Sequence, residues 1–492
     1  MSHADYPLIF ERGRRGRIGC NPPVSDIPRL PLEDLLGTNA VREPAVLPEV
    51  DELDLVRHFT NLSRRSYGID NGLYPLGSCT MKYNPRVNEV TASLPGFARI
   101  HPLQPQQTAQ GCLELLHDLQ MYLAEIAGFD TATLQPAAGA AGEHLCLMMI
   151  KRYHEERGEG ETRKVMLVPD TAHGTNPASA ARTGYSVRHV ATDAEGNTNL
   201  AELRAALDDS VAGMMLTNPN TLGLFERTIS EACDMVHKAG GLVFCDGANM
   251  NALVGVARPG DMGFDCMHLN LHKTFSTPHG GGGPGCGAIA TQRNLEPFLP
   301  APVVVKRGNE YVLDHDRPRS VGRVHSFYGN FLLAVRALTY ILAYGHDRLA
   351  DVAKHAVLNA NYVRAKLRDV YPAAYDRVCM HECVLTGDPV KERTGVRVLD
   401  ISKRLIDYGF HPMTNYFPLI VHEAMMIEPT ETENKETLDR FCDALRSIAE
   451  EAEKDPELVQ SAPHHAVVGR LDEVLAVKQL NVRWKPASDS TE

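Results

Sequence analysis

Along the middle of the chain the apolar positions switch between helical and extended spacing, and that switch marks out the elements. From 111 to 129 the segment GCLELLHDLQMYLAEIAGF repeats apolar residues at helical spacing and meets Gly128 as a stop, which predicts a helix. Short apolar runs follow, separated by helical stretches: KVMLVPD (164 to 170), YSVRHVA (185 to 191), VAGMMLTNPN (211 to 220), GGLVFCDGAN (240 to 249) and FDCMHLNLHK (264 to 273). Strands alternating with helices imply a mostly parallel sheet covered on both faces. Beyond Ser326 the spacing is helical again, over 326 to 345, 351 to 371 and 436 to 455.

Residues 1 to about 110 show no long period and are rich in proline, as in RIGCNPPVSDIPRLPLED and YPLGSCTMKYNP. An extended arm that buries little apolar surface by itself is expected to wrap a neighbouring domain or subunit. The expected division is an arm over 1–110, a large α/β domain over 111–325 and a smaller α+β domain over 326–492. A length of 492 residues agrees with a large domain and a companion.

A formal charge of -12, with no long basic block, argues against nucleic acid as the main partner. The basic cluster ERGRRGRIG (11 to 19) reads as a solvated arm or as a contact to nucleic acid. Eleven cysteines are scattered singly, without the paired CxxC spacing of structural zinc, as expected of reduced cytoplasmic thiols. The first twenty residues hold no apolar core and no run reaches membrane-spanning length, so neither a signal peptide nor a membrane contact is expected.

Ligands of open α/β sheets gather at the carboxyl ends of strands, and two charged residues stand there. Asp246 ends one apolar run and Lys273 the next, followed by Gly280 to Gly283. Pyridoxal phosphate needs a lysine amine able to form a Schiff base and an acid that keeps its ring nitrogen protonated. Taken singly, Asp246 is as well explained by a helix cap or turn and Lys273 by a solvated strand end. Ala248 is small enough to let a flat ring lie close, and His272, beside Lys273, joins the cofactor-binding set.

In AAGAAGEHLCLMMI (137 to 150) small residues open an apolar helix, so Gly139, Ala140 and Ala141 either cradle a phosphate with their amides or pack a tight contact. His173 either stacks on the ring or makes ordinary hydrogen bonds. Asn218 either bonds the ring hydroxyl or caps a turn. The glycine run lacks the GK[ST] ending of a P-loop, and His237, His268, His272 and His279 lack a HExxH pair, so neither a nucleoside triphosphate nor a metal is expected.

YPLGSCTMKYNPR (74 to 86), LQPAAGAAGE (134 to 143), AHGTNPAS (172 to 179), TNPNTLGLFE (217 to 226), CDGAN (245 to 249), HLNLHKTFSTPHGGGGPGCG (268 to 287), SFYGNF (326 to 331) and MMIEPTETE (425 to 433) together resemble the glycine decarboxylase of the glycine cleavage system. Within that family the resemblance is to subunit 2, the lysine-bearing half of the split P-protein, and it spans about residues 60 to 435. It implies a pyridoxal-phosphate-dependent type I fold with the cofactor as an internal aldimine on Lys273, Asp246 at the pyridine nitrogen and His173 on the ring. It also implies decarboxylation of glycine, and transfer of the aminomethyl group to the lipoyl arm of the H-protein. Partners implied are subunit 1 and the lipoylated H-protein, in a heterotetramer of two subunits of each kind.

No clamp for the glycine carboxylate is evident. Arg323, Ser78 and Thr80 are candidates beside their plainer surface and turn roles, and Cys79 reads as a buried structural thiol. The competing functions are another type I pyridoxal phosphate enzyme acting on a small amino acid, and a non-catalytic assembly subunit.

Overall fold

The computed structural model describes residues 6–37, 47–280 and 285–484. Gly281 to Gly283, most of the expected glycine loop, lie outside the described residues. Two compact units emerge, Met1–Asn71 with Ser461–Glu492, and Gly72–Gln460. The arm expected over 1–110 is therefore divided at Asn71, and the last part of the expected C-terminal domain belongs to the first unit. The reason is packing: Leu73 is buried in the same core as Tyr371, Ile427 and Phe441, and Ala92 lies in the main core.

In the first unit the helix Glu52–Ser63 starts at Asp51, whose side chain accepts the Asp54 amide at 2.8 Å. Arg17 pairs with Asp51 and Asp54, Tyr6 stacks on His58 at 5.2 Å, and Phe10 stacks on Trp484 at 5.0 Å.

The larger unit is built on a seven-stranded sheet. Its strands are β1 (Thr131–Thr133), β2 (Val165–Pro169), β3 (Ser186–Val190), β4 (Val211–Thr217), β5 (Leu242–Gly247), β6 (Cys266–Asn270) and β7 (Gly287–Thr291), in the order β1-β7-β6-β5-β4-β2-β3. All five apolar runs read as strands are strands, and they pair parallel as β6-β5-β4-β2-β3. Only β3, at the edge, is largely open to solvent. β7 and β1 extend the other edge antiparallel.

Side chains alternate across a strand, and the two faces of this sheet feed two core clusters. Val243 and Cys245 of β5, with Met267 and Leu269 of β6, enter one; Phe244 and Cys266 enter the other. The same alternation carries Asp246 and His268 onto the face of Phe244, whose ring stacks on His268 at 5.7 Å. The helix Gly139–Glu156 covers that face with Leu145, Cys146, Met149 and Ile150, so its N-terminus arrives at the strand ends.

The helix expected from 111 runs Gln110–Ala127 and ends at Gly128 with φ 79°. That expected from 326 begins only at Phe331, because Gly329 is left-handed (φ 87°) and a Cβ there would meet the Leu134 carbonyl at 2.0 Å. β8 (Val303–Arg307) and β9 (Glu310–Asp314) form a hairpin. β10 (Cys383–Thr386), β11 (Thr414–Asn415) and β12 (Ala424–Ile427) form an antiparallel sheet in the order β10-β12-β11. The helix Lys435–Lys454 supplies Leu438, Phe441 and Leu445 to the core shared with that sheet. No helix among the described residues is long and apolar enough to cross a membrane.

Phe244 is fully buried and supports both the core and the His268 ring. Phe244→Ala is expected to cost about 3–5 kcal/mol, read as a lower urea midpoint of the purified chain. An unchanged midpoint would show that this face tolerates the cavity.

Candidate functional site

A cavity of about 270 Å³ opens at the carboxyl ends of the parallel strands. Thr217 follows from β4, Asp246 and Ala248 from β5, and Asn270, His272 and Lys273 from β6. Ala138, Gly139, Ala140 and Glu143 line it from the start of the helix Gly139–Glu156, with His173 and Thr175 beside them. Pro219 to Thr221, Ser78, His381 and Glu382 complete much of the remaining wall.

Seven of the residues expected to serve the cofactor therefore meet in one place: Lys273, Asp246, Ala248, His173, Gly139, Ala140 and His272. Two do not. Asn218 accepts the Glu226 amide at 3.0 Å and points its Nδ2 at the Met262 sulfur, so it holds the turn after β4 rather than facing the cavity. Ala141 lies one position round the helix from the lining residues and is exposed. Arg323 is also exposed and away from the lining.

Asp246 is 5 % exposed, accepting Asn176 Nδ2 at 2.9 Å and the Ala248 amide at 3.1 Å. Burial pushes its carboxyl up, but the His268 ring, these bonds and Lys273 outweigh that, and it lies below the usual carboxylate range. Glu143 accepts Thr175 Oγ1 at 2.7 Å, Asn176 Nδ2 at 3.1 Å and Ser179 Oγ at 3.2 Å. Burial and then the Asp246 charge push it up to about 7. Asn176 thus bridges an ionised carboxylate and one that takes up a proton near neutrality. The imidazoles stay neutral: burial lowers His268 and His272 to about 4, and lowers His173 as well.

Lys273 Nζ donates to the Ser78 carbonyl. Ser78 (φ 67°), Thr80 (φ 49°) and Ser276 (φ 54°) are all left-handed, a conformation rare outside glycine and found at sites where the surroundings over-determine the backbone. Hydrogen bonds hold each one: Ser78 N to Glu382 at 2.8 Å, Thr80 N to Glu428 at 3.0 Å, and Ser276 Oγ to the Tyr83 carbonyl at 2.9 Å. Cys79 is half-buried and burial raises its thiol.

These residues fit pyridoxal phosphate. The helix Gly139–Glu156 starts with no side-chain cap, leaving its first amides for an anion. A Cβ on Gly139 would stand 2.3 Å from Asn270 Oδ1, so glycine is required for that approach. Asn176 Oδ1 and Asn270 Oδ1 are buried without a partner among the described residues. Asp246 is an anion set to meet a protonated ring nitrogen. Sequence reasoning missed Glu143, Asn176, His381 and Glu382. Glu143 alone gave a signal, being three positions along the helix face from Ala140.

The fold matches that of a glycine decarboxylase (P-protein) of the glycine cleavage system, in inhibitor-bound form, with a TM-score of 0.72 and 20% identity over 85% of this chain and 94% of that one. It also matches Oryza sativa TDC with PLP and tryptamine, with a TM-score of 0.63 and 12% identity over 84% and 90%. Fold and strand-end cavity define the class, the pyridoxal-phosphate-dependent type I fold. Residues 42–309 match the Glycine cleavage system P-protein family and residues 352–466 match the Glycine dehydrogenase, C-terminal domain. The probable glycine dehydrogenase (decarboxylating) subunit 2 of Alkaliphilus oremlandii is 55% identical over 484 residues, 98% of this chain and 99% of its own. The chain belongs to the glycine cleavage system P-protein family.

With a folded value of about 7 against an ordinary 4.5, Glu143 binds a proton in the folded chain that the unfolded chain has already released. Its contribution to stability is full below 4.5 and lost as pH rises through about 7. In Glu143→Gln the fall of Tm over that window is expected to be shallower than in the parent, measured on cofactor-free chain. An equally steep fall would assign the proton elsewhere.

Proposed function

We propose that this chain is the lysine-bearing subunit of a two-part glycine dehydrogenase (decarboxylating). It holds pyridoxal phosphate as a Schiff base on Lys273, removes the glycine carboxylate as carbon dioxide and passes the aminomethyl group to the lipoyl arm of an H-protein. The observation that carries this reading is Lys273 and Asp246, ending neighbouring parallel strands, in one cavity with an uncapped helix start. Relatives 55% identical over nearly the whole length carry the name of that subunit.

Bound cofactor supplies an electron sink for the negative charge left on the glycine carbon. Asp246 keeps that sink open by pairing with the ring-nitrogen proton. The first amides of the helix Gly139–Glu156 hold the phosphate, His173 covers the ring and Ala248 leaves it room. Lys273, whose amine donates to the Ser78 carbonyl at the cavity wall, would supply the nitrogen that holds the cofactor until glycine binds. Subunit 1 is the partner implied by a subunit 2, and two copies of each make the assembly. All eleven cysteines are free, which suits a reducing cytoplasm.

The chain, with and without pyridoxal phosphate and subunit 1, is reduced with borohydride and its modified lysine mapped by mass spectrometry. Label is expected at Lys273 and lost in Lys273→Ala, together with carbon dioxide release from glycine in the presence of lipoylated H-protein. Absence of label under every condition would leave an assembly subunit. Label at Lys273 with aldol or sulfur chemistry in place of glycine turnover would point to another enzyme of the class.

A further inference from the structure

The cavity has a second acidic wall that the cofactor does not explain. His381 and Glu382 lead into β10 and Glu428 follows β12; those strands pair antiparallel with Cys383 opposite Ile427, so the three residues are brought side by side. Nitrogen and carboxylate oxygen atoms of the three lie within 4.8 Å of one another, and all three are buried. Glu382 and His381 line the cavity together with Lys273.

Their hydrogen bonds distinguish the two carboxyls. Glu428 accepts on both oxygens, Oε1 from Thr80 Oγ1 (2.7 Å) and Asn249 Nδ2 (2.8 Å), and Oε2 from the Thr80 amide (3.0 Å). Glu382 accepts the Ser78 amide on Oε2, while its Oε1 stands 3.9 Å from His381 Nε2. Three donors solvate the Glu428 anion and one solvates Glu382. Two carboxylates this close in so dry a place do not both stay charged, and the less solvated one takes the proton.

The titratable and charged groups facing the pair are Lys273, Cys79, Cys379, His381, and Lys82 with its partner Glu431. Lys82 is committed to Glu431 at 2.7 Å, and burial lowers His381 to about 3, so neither neutralises Glu382. Burial, and then the Glu428 charge, push Glu382 up to about 8.

We propose that Glu382 is a proton donor of the active site, carrying the proton it shares with Glu428 and delivering it to the sulfur released when the aminomethyl carbon attacks a disulfide. This rests on the activity proposed above. The C–C bond to the carboxylate breaks, and its electron pair forms the C–S bond. The S–S bond breaks, and its pair leaves on the second sulfur, which Glu382 protonates to a thiol. The glycine carbon is oxidised and the disulfide reduced, so no further oxidant enters. Glycine's ammonium protons stay with the aminomethyl group, so each turnover takes up one proton from solvent, and that proton restores Glu382.

Two measurements test it. In cofactor-free chain, the share of the infrared carboxylic-acid band that is lost in Glu382→Gln is expected to be present at neutral pH and to vanish as pH rises through about 8, apart from the Glu143 share, which titrates near 7 and is removed in Glu143→Gln. In the assembled holoenzyme, Glu382→Gln is expected to slow aminomethyl transfer to lipoylated H-protein by about 10²- to 10⁴-fold. It also removes the alkaline limb of kcat/KM, while borohydride labelling of Lys273 is unchanged. Glu428→Gln keeps the acid band and moves its titration, and the limb, to lower pH. A Glu382→Gln enzyme with parental transfer and the same limb overturns the proposal, as does an acid band whose component titrating near 8 is unchanged in that variant. A parent whose band titrates as expected but which transfers nothing overturns the glycine activity, and with it the delivery step.

Discussion

Everything around Lys273 depends on how residues 78 to 82 are fastened. Three carboxyl groups from far along the chain hold this short segment: Glu382 takes the Ser78 amide, Glu428 takes the amide and hydroxyl of Thr80, and Glu431 pairs with Lys82 at 2.7 Å. Left-handed backbone at Ser78 and Thr80 costs on the order of 1–3 kcal/mol each, offset by the hydrogen bonds that the Glu382 carboxyl accepts from the Ser78 amide and the Glu428 carboxylate from the amide and hydroxyl of Thr80. The strained turn aims the Ser78 carbonyl at the lysine amine, while Lys82 also donates to the Thr274 carbonyl at 2.6 Å. Lysine and backbone on both sides of it are thereby set by the antiparallel sheet of β10, β11 and β12, not by the parallel sheet alone. Removing one partner of the nearly fully buried Lys82–Glu431 pair would strand a charge, at a cost of about 3–5 kcal/mol.

The charge balance of the cavity follows from the same economy of solvent. Glu143, Asp246, Glu382 and Glu428 are all buried in or against it, with Lys273 as the lysine on its wall. Four carboxylates around a single lysine are not tolerated in so dry a space, and the geometry resolves them into two pairs, each retaining a proton. The acid of each pair is set differently: Glu143 takes the proton beside Asp246 because Lys273 and His268 lower Asp246 and no cation lowers Glu143, and Glu382 takes it beside Glu428 because it has fewer donors. An anion at the start of the helix Gly139–Glu156 stands one turn from Glu143 and pushes it further the same way. The ionised Asp246 keeps its charge for a cation, so acid and base roles are separated by environment, not by residue type.

What was legible in the sequence divides along contact distance. Each parallel strand announced itself as an apolar run because its surroundings are apolar whichever neighbour it meets, and Asp246 and Lys273 stood out as charges at the ends of such runs. Gly139 and Ala140 were legible for a similar local reason, a helix start without a cap. β1 and β7 were missed because three- and five-residue strands with no alternation carry no periodic signal. Asn218 was misread because a polar residue after a strand serves a turn as readily as a ligand, and here the Glu226 amide claims it.

The acidic wall was hidden by separation. YPLGSCTMK and MMIEPTETE are each distinctive, yet neither explains why it holds those residues: the first has hydroxyl, amide and lysine donors with nothing local to bond, the second has acids too buried to stand alone. Across 348 and 349 residues of chain, Thr80 meets Glu428 and Lys82 meets Glu431. The two motifs are one structural feature read in two places. Since each half is costly to bury without the other, the acids of the second motif fix the turn of the first, and that turn fixes the lysine.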